Sequence, residues 1–143
     1  SVRHLLALFH RASLLVTTKE TKDGRRFIPI RELSDELDLS FHFLTKILQV
    51  LTEAKIMESF RGPNGGVGLA RSAKDITLID VIAAVDGMAL FKDCGLGLPG
   101  CGEKTPCPLH ATWAKRRQDL QKMFEKTTLA SLAKELALNE LRN

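Results

Sequence analysis

The three cysteines of the chain lie in one short stretch that begins at Cys94 and ends at His110. Its sequence is CGLGLPGCGEKTPCPLH, which is rich in glycine and proline and has few apolar side chains with which to pack itself. Thiolates are soft donors that suit zinc, copper(I) and iron–sulfur clusters. The composition therefore predicts that Cys94, Cys101 and Cys107 bind a metal group that organises this loop.

The spacing of the cysteines bears on which metal group they bind. Six residues separate Cys94 from Cys101, and five separate Cys101 from Cys107. Zinc sites normally contain a cysteine pair only about two to four residues apart, so the spacing favours an iron–sulfur cluster. His110 lies three residues after Cys107, and its ring could point to the same centre or simply face solvent. Zinc stays open as the alternative cofactor.

Composition and motif content exclude several functional classes. The 143 residues are 44% hydrophobic and 27% charged, which is typical of one globular domain or a small domain with an appendage. No apolar run has the length of a membrane span, and the start does not resemble a secretion signal. An odd number of cysteines indicates a reducing cytoplasm. Because no phosphate loop or nucleophile elbow is present, we expect no enzymatic activity.

Hydrophobic periodicity predicts a chain of helices interrupted by one hairpin. The pattern indicates an amphipathic helix from Val2 to about Val16 and a short extended piece from Phe27 to Ile30. Further helices are expected at 30–37, from the N-cap Ser40 to about 54, from the N-cap Thr77 to about 85, from Pro108 onward and at 128–141. Residues 56–60 and 67–70 read as two strands. This order predicts a mainly α fold with a two-stranded β wing, which is a winged helix-turn-helix domain followed by a long dimerisation helix.

The predicted elements divide the chain into three functional segments. Residues 1–87 are expected to form the winged helix-turn-helix DNA-binding domain, 88–107 the cysteine-rich cluster loop, and 108–143 the dimerisation helix and a C-terminal helix. The helix after Pro108 carries Leu109, Trp113, Leu120, Met123 and Phe124 at near-heptad spacing. A long helix outside a compact domain usually needs a partner to cover its apolar stripe, so we expect a homodimer. The alternative is that the helix folds back on its own domain.

The predicted helix from Ser40 is positioned to enter the major groove of a DNA operator, and the net charge of +4 permits such a partner. Its exposed candidates for contacts with bases or phosphates are Ser40, Phe41, His42, Thr45 and Lys46. Phe41 is equally compatible with a core position. The hairpin tip would place Arg61 and Asn64 near the minor groove, where Gly65 and Gly66 permit close backbone approach. An electron carrier and a zinc-stapled module for DNA or protein contacts are the rival functions.

Several ordered motifs together resemble a known family. The run from 57 to 70 reads Met57-x-Ser59-x-Arg61-Gly62-Pro63-x-Gly65-Gly66-x-x-Leu69-Ala70. It is followed by Ile76-Thr77-Leu78-x-Asp80-Val81-Ile82-x-Ala84-Val85-Asp86-Gly87 and, after the cysteines, by Pro108-Leu109-His110-x-x-Trp113. In this order the motifs resemble the Rrf-type family of winged-helix regulators, which includes the iron–sulfur-cluster regulator and the nitric-oxide-sensing repressor of bacteria. The resemblance covers nearly the whole chain.

The resemblance implies a dimeric, cytoplasmic DNA-binding protein whose cluster state alters its affinity for the operator. It matches His110 to the histidine ligand of the branch that holds a two-iron (2Fe-2S) cluster. The nitric-oxide-sensing branch holds a four-iron (4Fe-4S) cluster with a carboxylate that would precede Ser1. The interval from Cys94 to Cys101 is one residue longer than in these branches, which a glycine-rich loop can absorb. We expect cluster gain or loss to shift the helix at Thr77–Val85 against the recognition helix.

Overall fold

The computed structural model describes residues 27–63 and 65–140, with the side chains of 136–140 left aside. Its strands are β1 (Met57–Phe60) and β2 (Gly66–Leu69). Its helices are α1 (Ile30–Leu37), α2 (Phe41–Glu53), α3 (Leu78–Val85), α4 (Ala89–Lys92), α5 (His110–Lys126) and α6 (Leu129–Glu140). The predicted mainly α fold with a small β wing is confirmed, while the helix predicted at 2–16 lies outside the described residues.

Helices α1 and α2 form the helix-turn-helix unit. The turn is made at Asp38, whose φ of 50° places it in the left-handed region that aspartate tolerates. The Ser34 hydroxyl donates to the carbonyl oxygen of Leu39 at 2.7 Å, which ties α1 to the turn. As predicted, Ser40 caps α2, because its hydroxyl oxygen accepts from the backbone N–H of Phe43 at 3.1 Å. These local bonds fix where the recognition helix α2 begins.

The wing is an antiparallel hairpin that is extended by one residue from the start of the described chain. Strands β1 and β2 pair with Met57 opposite Leu69 and Phe60 opposite Gly66. Ile28 forms a bridge with Val67, with both N–H···O distances at 2.9 Å, so the predicted extended piece before α1 lies against β2. A Cβ on Gly66 would lie 2.2 Å from the Ile28 carbonyl oxygen, so this approach requires glycine.

One hydrophobic core joins the helix-turn-helix, the wing and the later helices. Helix α3 begins with a capping box, in which Asp80 N–H donates to Thr77 Oγ1 and Thr77 N–H donates to Asp80 Oδ2. Helix α6 starts beside it, because Thr77 bridges Thr128 and the Leu129 N–H donates to the Ile76 carbonyl oxygen at 2.9 Å. The buried members of the core are Ile28, Leu33, Leu44, Leu48, Leu51, Ile56, Met57, Val67, Ile76, Val81 and Leu129.

Two details of the helices differ from the sequence-based expectation. The period of the sequence predicts that the buried stripe of α2 consists of Phe43, Leu44, Ile47, Leu48 and Leu51. In the structure Leu44, Leu48 and Leu51 are buried, whereas Phe43 is 49% exposed. Helix α5 begins at His110 instead of Pro108. The intervening turn is closed by a hydrogen bond from the His110 N–H to the Cys107 carbonyl oxygen.

Helix α5 is the longest helix of the described chain, and none of its side chains is fully buried. It contacts α4 and α3, and α3 in turn contacts the recognition helix α2. Met123 on α5 is 52% exposed, and Leu109, which directly precedes the helix, is 51% exposed. Among the described residues, no helix combines the length and apolar character that crossing a bilayer requires.

Candidate metal centre and DNA-binding surface

Short turns bring the ends of the cysteine loop together. The Gly97 N–H donates to the Cys94 carbonyl oxygen at 3.0 Å, and the Cys101 N–H donates to that of Leu98 at 3.3 Å. Gly97 and Gly100 have φ values of 65° and 74°, so each turn uses a conformation that favours glycine. The glycine-rich composition is therefore what allows the chain to reverse direction between successive cysteines.

The loop gathers all three thiols and the histidine at one place. The Sγ atoms of Cys94, Cys101 and Cys107 lie within 4.8 Å of one another. The Sγ atoms of Cys94 and Cys107 lie 3.8 Å apart. Cys101 Sγ lies 3.6 Å from His110 Nδ1 and accepts a hydrogen bond from the Cys107 N–H at 3.4 Å. The four side chains predicted as ligands are thus adjacent in space.

Backbone groups and neighbouring thiols shift the cysteine pKa values in opposite directions. The pKa of Cys94 is lowered to about 7 because the backbone N–H groups of Leu98 and Leu96 donate to its sulfur. For Cys101 the Cys107 N–H acts to lower the pKa, but desolvation and the two nearby thiols outweigh it and the pKa is raised. Three crowded thiols without a cation cannot all ionise easily, whereas a bound metal would neutralise them.

The donor set fits a soft metal. Two thiolates on one tetrahedral metal, each about 2.3 Å from it, lie about 3.8 Å apart. The Cys94–Cys107 separation of 3.8 Å has this value. The remaining donors, Cys101 and His110, form a second close pair at 3.6 Å. A set of three thiolates and one imidazole suits zinc or an iron–sulfur cluster and does not suit magnesium or calcium, which prefer oxygen.

A cavity of about 400 Å³ opens beside the thiols. Its lining includes Cys94 and Cys101 of the loop and His110, Trp113 and Arg117 of α5. The Nε atom of Arg117 is buried and has no hydrogen-bond partner within the described part of the chain. The cavity therefore borders two of the three thiols, and its wall includes a cationic side chain.

The recognition helix presents most of the predicted DNA-contacting residues to solvent. His42 and Lys46 are exposed, and Phe41 is 48% exposed, which excludes the core position considered for it. Thr45 is half-buried, and its hydroxyl donates to the Phe41 carbonyl oxygen at 2.7 Å. Because the Ser40 and Thr45 hydroxyls already serve α2 itself, they have less capacity for DNA than His42 and Lys46.

Sequence reasoning missed one cation of this surface. Arg31, at the start of α1, is exposed, and its guanidinium carbon lies 5.6 Å from the centroid of the Phe41 ring. This is the geometry of a cation–π interaction, which holds the charge beside the N-terminus of the recognition helix. In the sequence Arg31 is only an arginine at the start of a short helix. Its pairing with an aromatic ring ten residues later depends on the geometry of the turn between the two helices.

The wing tip carries Arg61 as an exposed side chain at the end of β1. The Gly65 N–H donates to the Gly62 carbonyl oxygen at 3.0 Å, and a Cβ on Gly65 would lie 2.2 Å from the Phe60 carbonyl oxygen. Glycine at this position is therefore required by the tip itself, whatever the tip contacts. Asn64 lies outside the described residues.

Comparison with known proteins agrees with this geometry. Residues 9–135 match the model of the Rrf2 family, whose description is iron-dependent transcriptional regulator. The chain belongs to the Rrf2 family. Regulators of this family bind DNA, and the resemblance inferred from the sequence motifs is thereby confirmed. The helix-turn-helix, the wing and the long helix are the family's fold, carried here with three cysteines in close contact.

Individual Rrf2-family relatives show how far the likeness extends. A putative helix-turn-helix regulator, BadM of Rhodopseudomonas palustris, is 40% identical over 73 residues, which are 51% of this chain and 43% of that protein. The regulator IscR of Vibrio atlanticus is 30% identical over 114 residues, which are 80% of this chain and 65% of that protein. The chain thus spans less than two thirds of the length of either relative.

A solved structure supports the same fold. The global cysteine regulator CymR of B. subtilis superimposes with a TM-score of 0.71 at 21% identity, covering 94% of this chain and 95% of that one. At this identity the likeness concerns the fold alone. The family match makes this chain a transcriptional regulator of the Rrf2 family, and the fold comparison agrees with that fold.

Proposed function

We propose that this chain is a DNA-binding transcriptional regulator whose affinity for DNA depends on an iron–sulfur cluster held by Cys94, Cys101, Cys107 and His110. The observation that carries the proposal is the convergence of three thiols within 4.8 Å in a loop beside a helix-turn-helix domain. Such a cluster would supply a redox-labile group that responds to oxygen, nitric oxide or iron supply. The description of the matched family, iron-dependent transcriptional regulator, supports a role of this kind.

A two-iron cluster would use these four donors in two pairs. In a two-iron cluster, each tetrahedral iron takes two protein ligands besides the bridging sulfides. Cys94 and Cys107 form one close pair, at 3.8 Å, and Cys101 and His110 form the other, at 3.6 Å. His110 is the fourth ligand in this proposal.

The test of this proposal is purification of the full chain without air, with iron, acid-labile sulfide and zinc measured per chain. We expect about two irons and two sulfides with visible absorption from sulfide-to-iron charge transfer. A colourless protein without iron contradicts the proposal.

Zinc is the second candidate, because three cysteines and one histidine also form a Cys₃His zinc site. The three Sγ atoms all lie within 4.8 Å of one another. One equivalent of zinc, unchanged by exposure to air, would establish this alternative. The chain would then be a zinc-stapled DNA- or protein-binding module without redox sensing.

We propose that the DNA-binding surface consists of α2, the wing tip and Arg31. His42 and Lys46 would meet base edges or phosphates, Arg61 would enter the minor groove, and Arg31 would contact phosphate from α1. Phe41, Ser40, Thr45, Asn64 and Gly65 would shape this surface around them. The exposure of these cations on the helix-turn-helix and wing supports the placement.

Replacing either Arg31 or Arg61 with alanine is expected to weaken binding to a mixed-sequence 30-base-pair duplex. Each arginine that neutralises a phosphate contributes about 0.9 to the slope of log affinity against log salt, so each variant should lower that slope by about one. Fluorescence anisotropy at several salt concentrations measures it. Lys122→Ala on α5 removes the same charge and should leave the slope unchanged; an unchanged slope in the arginine variants rules out their contact with phosphate.

We also propose that 108–143 mediates formation of a homodimer, while 1–87 binds DNA and 88–107 holds the cluster. Support comes from α5, which leaves Met123 and the preceding Leu109 about half exposed. Light scattering should give twice the mass of one 15.9 kDa chain, and Met123→Glu should shift the protein toward monomer. A wild-type monomer at micromolar concentration would refute the dimer.

A further inference from the structure

Two side chains of α5 reach back to the residues that precede the first cysteine. Arg117 Nη1 donates to the carbonyl oxygens of Lys92 and Asp93, the latter at 2.8 Å. Trp113 Nε1 donates to the same Asp93 carbonyl oxygen at 3.0 Å. Trp113 and Arg117 are four residues apart and therefore lie on one face of the helix. We call these two side chains, with the carbonyls they bind, the α5 latch.

The latch provides hydrogen-bond donors for the backbone carbonyls at the C-terminal end of α4. Helix α4 has only four residues, so its terminal carbonyls have no partners from a following turn. A guanidinium at the C-terminal end of a helix satisfies such carbonyls and complements their partial negative charge. The path of the chain from α4 into Cys94 is therefore set by α5.

Trp113 also covers the residue that follows Cys94. A Cβ on Gly95 would lie 2.8 Å from Cδ2 of the indole ring, so only glycine allows the ring to approach this closely. One indole thus holds Asp93 by a hydrogen bond and Gly95 by contact. Both neighbours of Cys94 are fixed by the same side chain.

The position of Arg117 is not explained by packing alone. Its Nε atom is buried without a partner among the described residues, and leaving a buried N–H unpaired is costly. Arg117 and Trp113 also line the cavity that Cys94, Cys101 and His110 border. The latch therefore connects the residues before the ligand loop to α5. Helix α5 in turn contacts α3, the neighbour of the recognition helix.

We propose that Trp113 and Arg117 are positioning residues that hold Cys94 within reach of Cys101 and Cys107. They also form the mechanical link through which the state of the cysteine site reaches α5. The metal-binding part of this inference rests on the proposed function. The positional part concerns the chain's own residues and does not require a metal.

The first arm of the test uses reduced, metal-free protein, in which mass spectrometry follows the labelling of each cysteine by iodoacetamide. In Trp113→Phe and Arg117→Gln, labelling of Cys94 should accelerate about fivefold to tenfold, because one or two hydrogen bonds that restrain it are lost. Labelling of Cys101 should stay within twofold. Arg116→Gln is the matched control, since Arg116 is exposed and its ion pair is with Asp119 on the same helix.

The second arm titrates the same variants with Co²⁺ alone and follows the thiolate-to-cobalt absorption. Loss of a side chain that orients a ligand typically weakens metal binding about 10- to 100-fold, which we expect for both variants and not for Arg116→Gln. Circular dichroism of each variant confirms that it folds. Arg117→Lys should bind Co²⁺ more tightly than Arg117→Gln and less tightly than the wild type.

The outcomes separate this inference from the proposed function. Faster labelling of Cys94 alone supports the latch, whether or not the wild-type chain binds iron. A wild-type chain without iron would contradict the proposed cluster and leave the latch standing. Unchanged labelling of Cys94 in folded Trp113→Phe and Arg117→Gln overturns the latch. Equal acceleration at all three cysteines overturns it too, because it would indicate a general loss of structure.

Discussion

Replacing Cys107 with serine is expected to abolish stable cluster binding and to lower the affinity for iron by at least about 100-fold. Loss of a residue that only supports a ligand already lowers metal affinity by up to about 100-fold, and loss of the ligand itself should cost more. Cys107 contacts both other cysteines: its Sγ lies 3.8 Å from that of Cys94, and its N–H donates to Cys101 Sγ. A serine hydroxyl is a hard donor that stays protonated at neutral pH and cannot replace a thiolate. Iron and sulfide per chain after anaerobic reconstitution measure the effect.

The control for this variant is Lys104→Ala, in the same loop. Lys104 is exposed, and its change should leave the iron content and spectrum unaltered. Thermal unfolding of the metal-free proteins should be the same for both variants and the wild type. A Cys107→Ser protein that keeps the full iron content would show that Cys107 is not a ligand.

Replacing Leu129 with alanine is expected to destabilise the whole protein by about 2–5 kcal/mol, the usual cost of removing a buried leucine side chain. Leu129 is only 1% exposed and packs in the core that the helix-turn-helix and wing share, although it lies in the segment after α5. Its N–H also donates to the Ile76 carbonyl oxygen. Urea denaturation gives the change in the free energy of unfolding.

The matched control is Lys134→Ala on the same helix, whose side chain is exposed. A surface change of this kind usually alters stability by less than about 0.5 kcal/mol. If Leu129→Ala is as stable as Lys134→Ala, α6 does not contribute to the core of the DNA-binding domain. A large loss would mean that 108–143 is anchored on 1–87 and does not fold as a separate unit.

Much of the fold could be predicted because its signals are local. Ser40 and Thr77 are N-cap residues at the expected positions, and the change from helical to strand period after α2 marks the wing. The candidate ligands could also be predicted, because all three cysteines of the chain lie in one short glycine-rich loop. Their spatial convergence follows from turns that the glycines at 97 and 100 allow.

What could not be predicted depends on contacts between distant parts of the chain. The hydrogen bonds from Trp113 and Arg117 to the carbonyl oxygens of residues 92 and 93 span 20 to 25 residues of sequence. No local sequence pattern predicts them. Arg31 joins the predicted DNA surface only because the turn at Asp38 places it over Phe41. Helical period alone placed both Phe43 and its neighbour Leu44 in the buried stripe, whereas in the packed structure only Leu44 of the two is buried.

The contacts suggest how the two proposed sites communicate. The cysteine loop is bound to α5 by the latch, α5 lies against α3, and α3 lies against the recognition helix. A change at Cys94 that moves α5 would thus alter the support of α2 through one intermediate helix. The sequence-based hypothesis that the helix at Thr77–Val85 transmits the signal stays a prediction, now with α5 as the element before it.

The most direct test of the central claim is the Kd for one operator, measured with cluster-loaded and with metal-free protein at the same salt concentration. The operator is obtained by selecting from a random duplex pool with the loaded protein. Coupling between two sites typically changes affinity about 5- to 150-fold, so we expect the two Kd values to differ by at least about fivefold. Cys107→Ser should match the metal-free value under both conditions. Equal Kd values for loaded and metal-free protein, with iron bound at full content, would contradict control of DNA binding by the cysteine site.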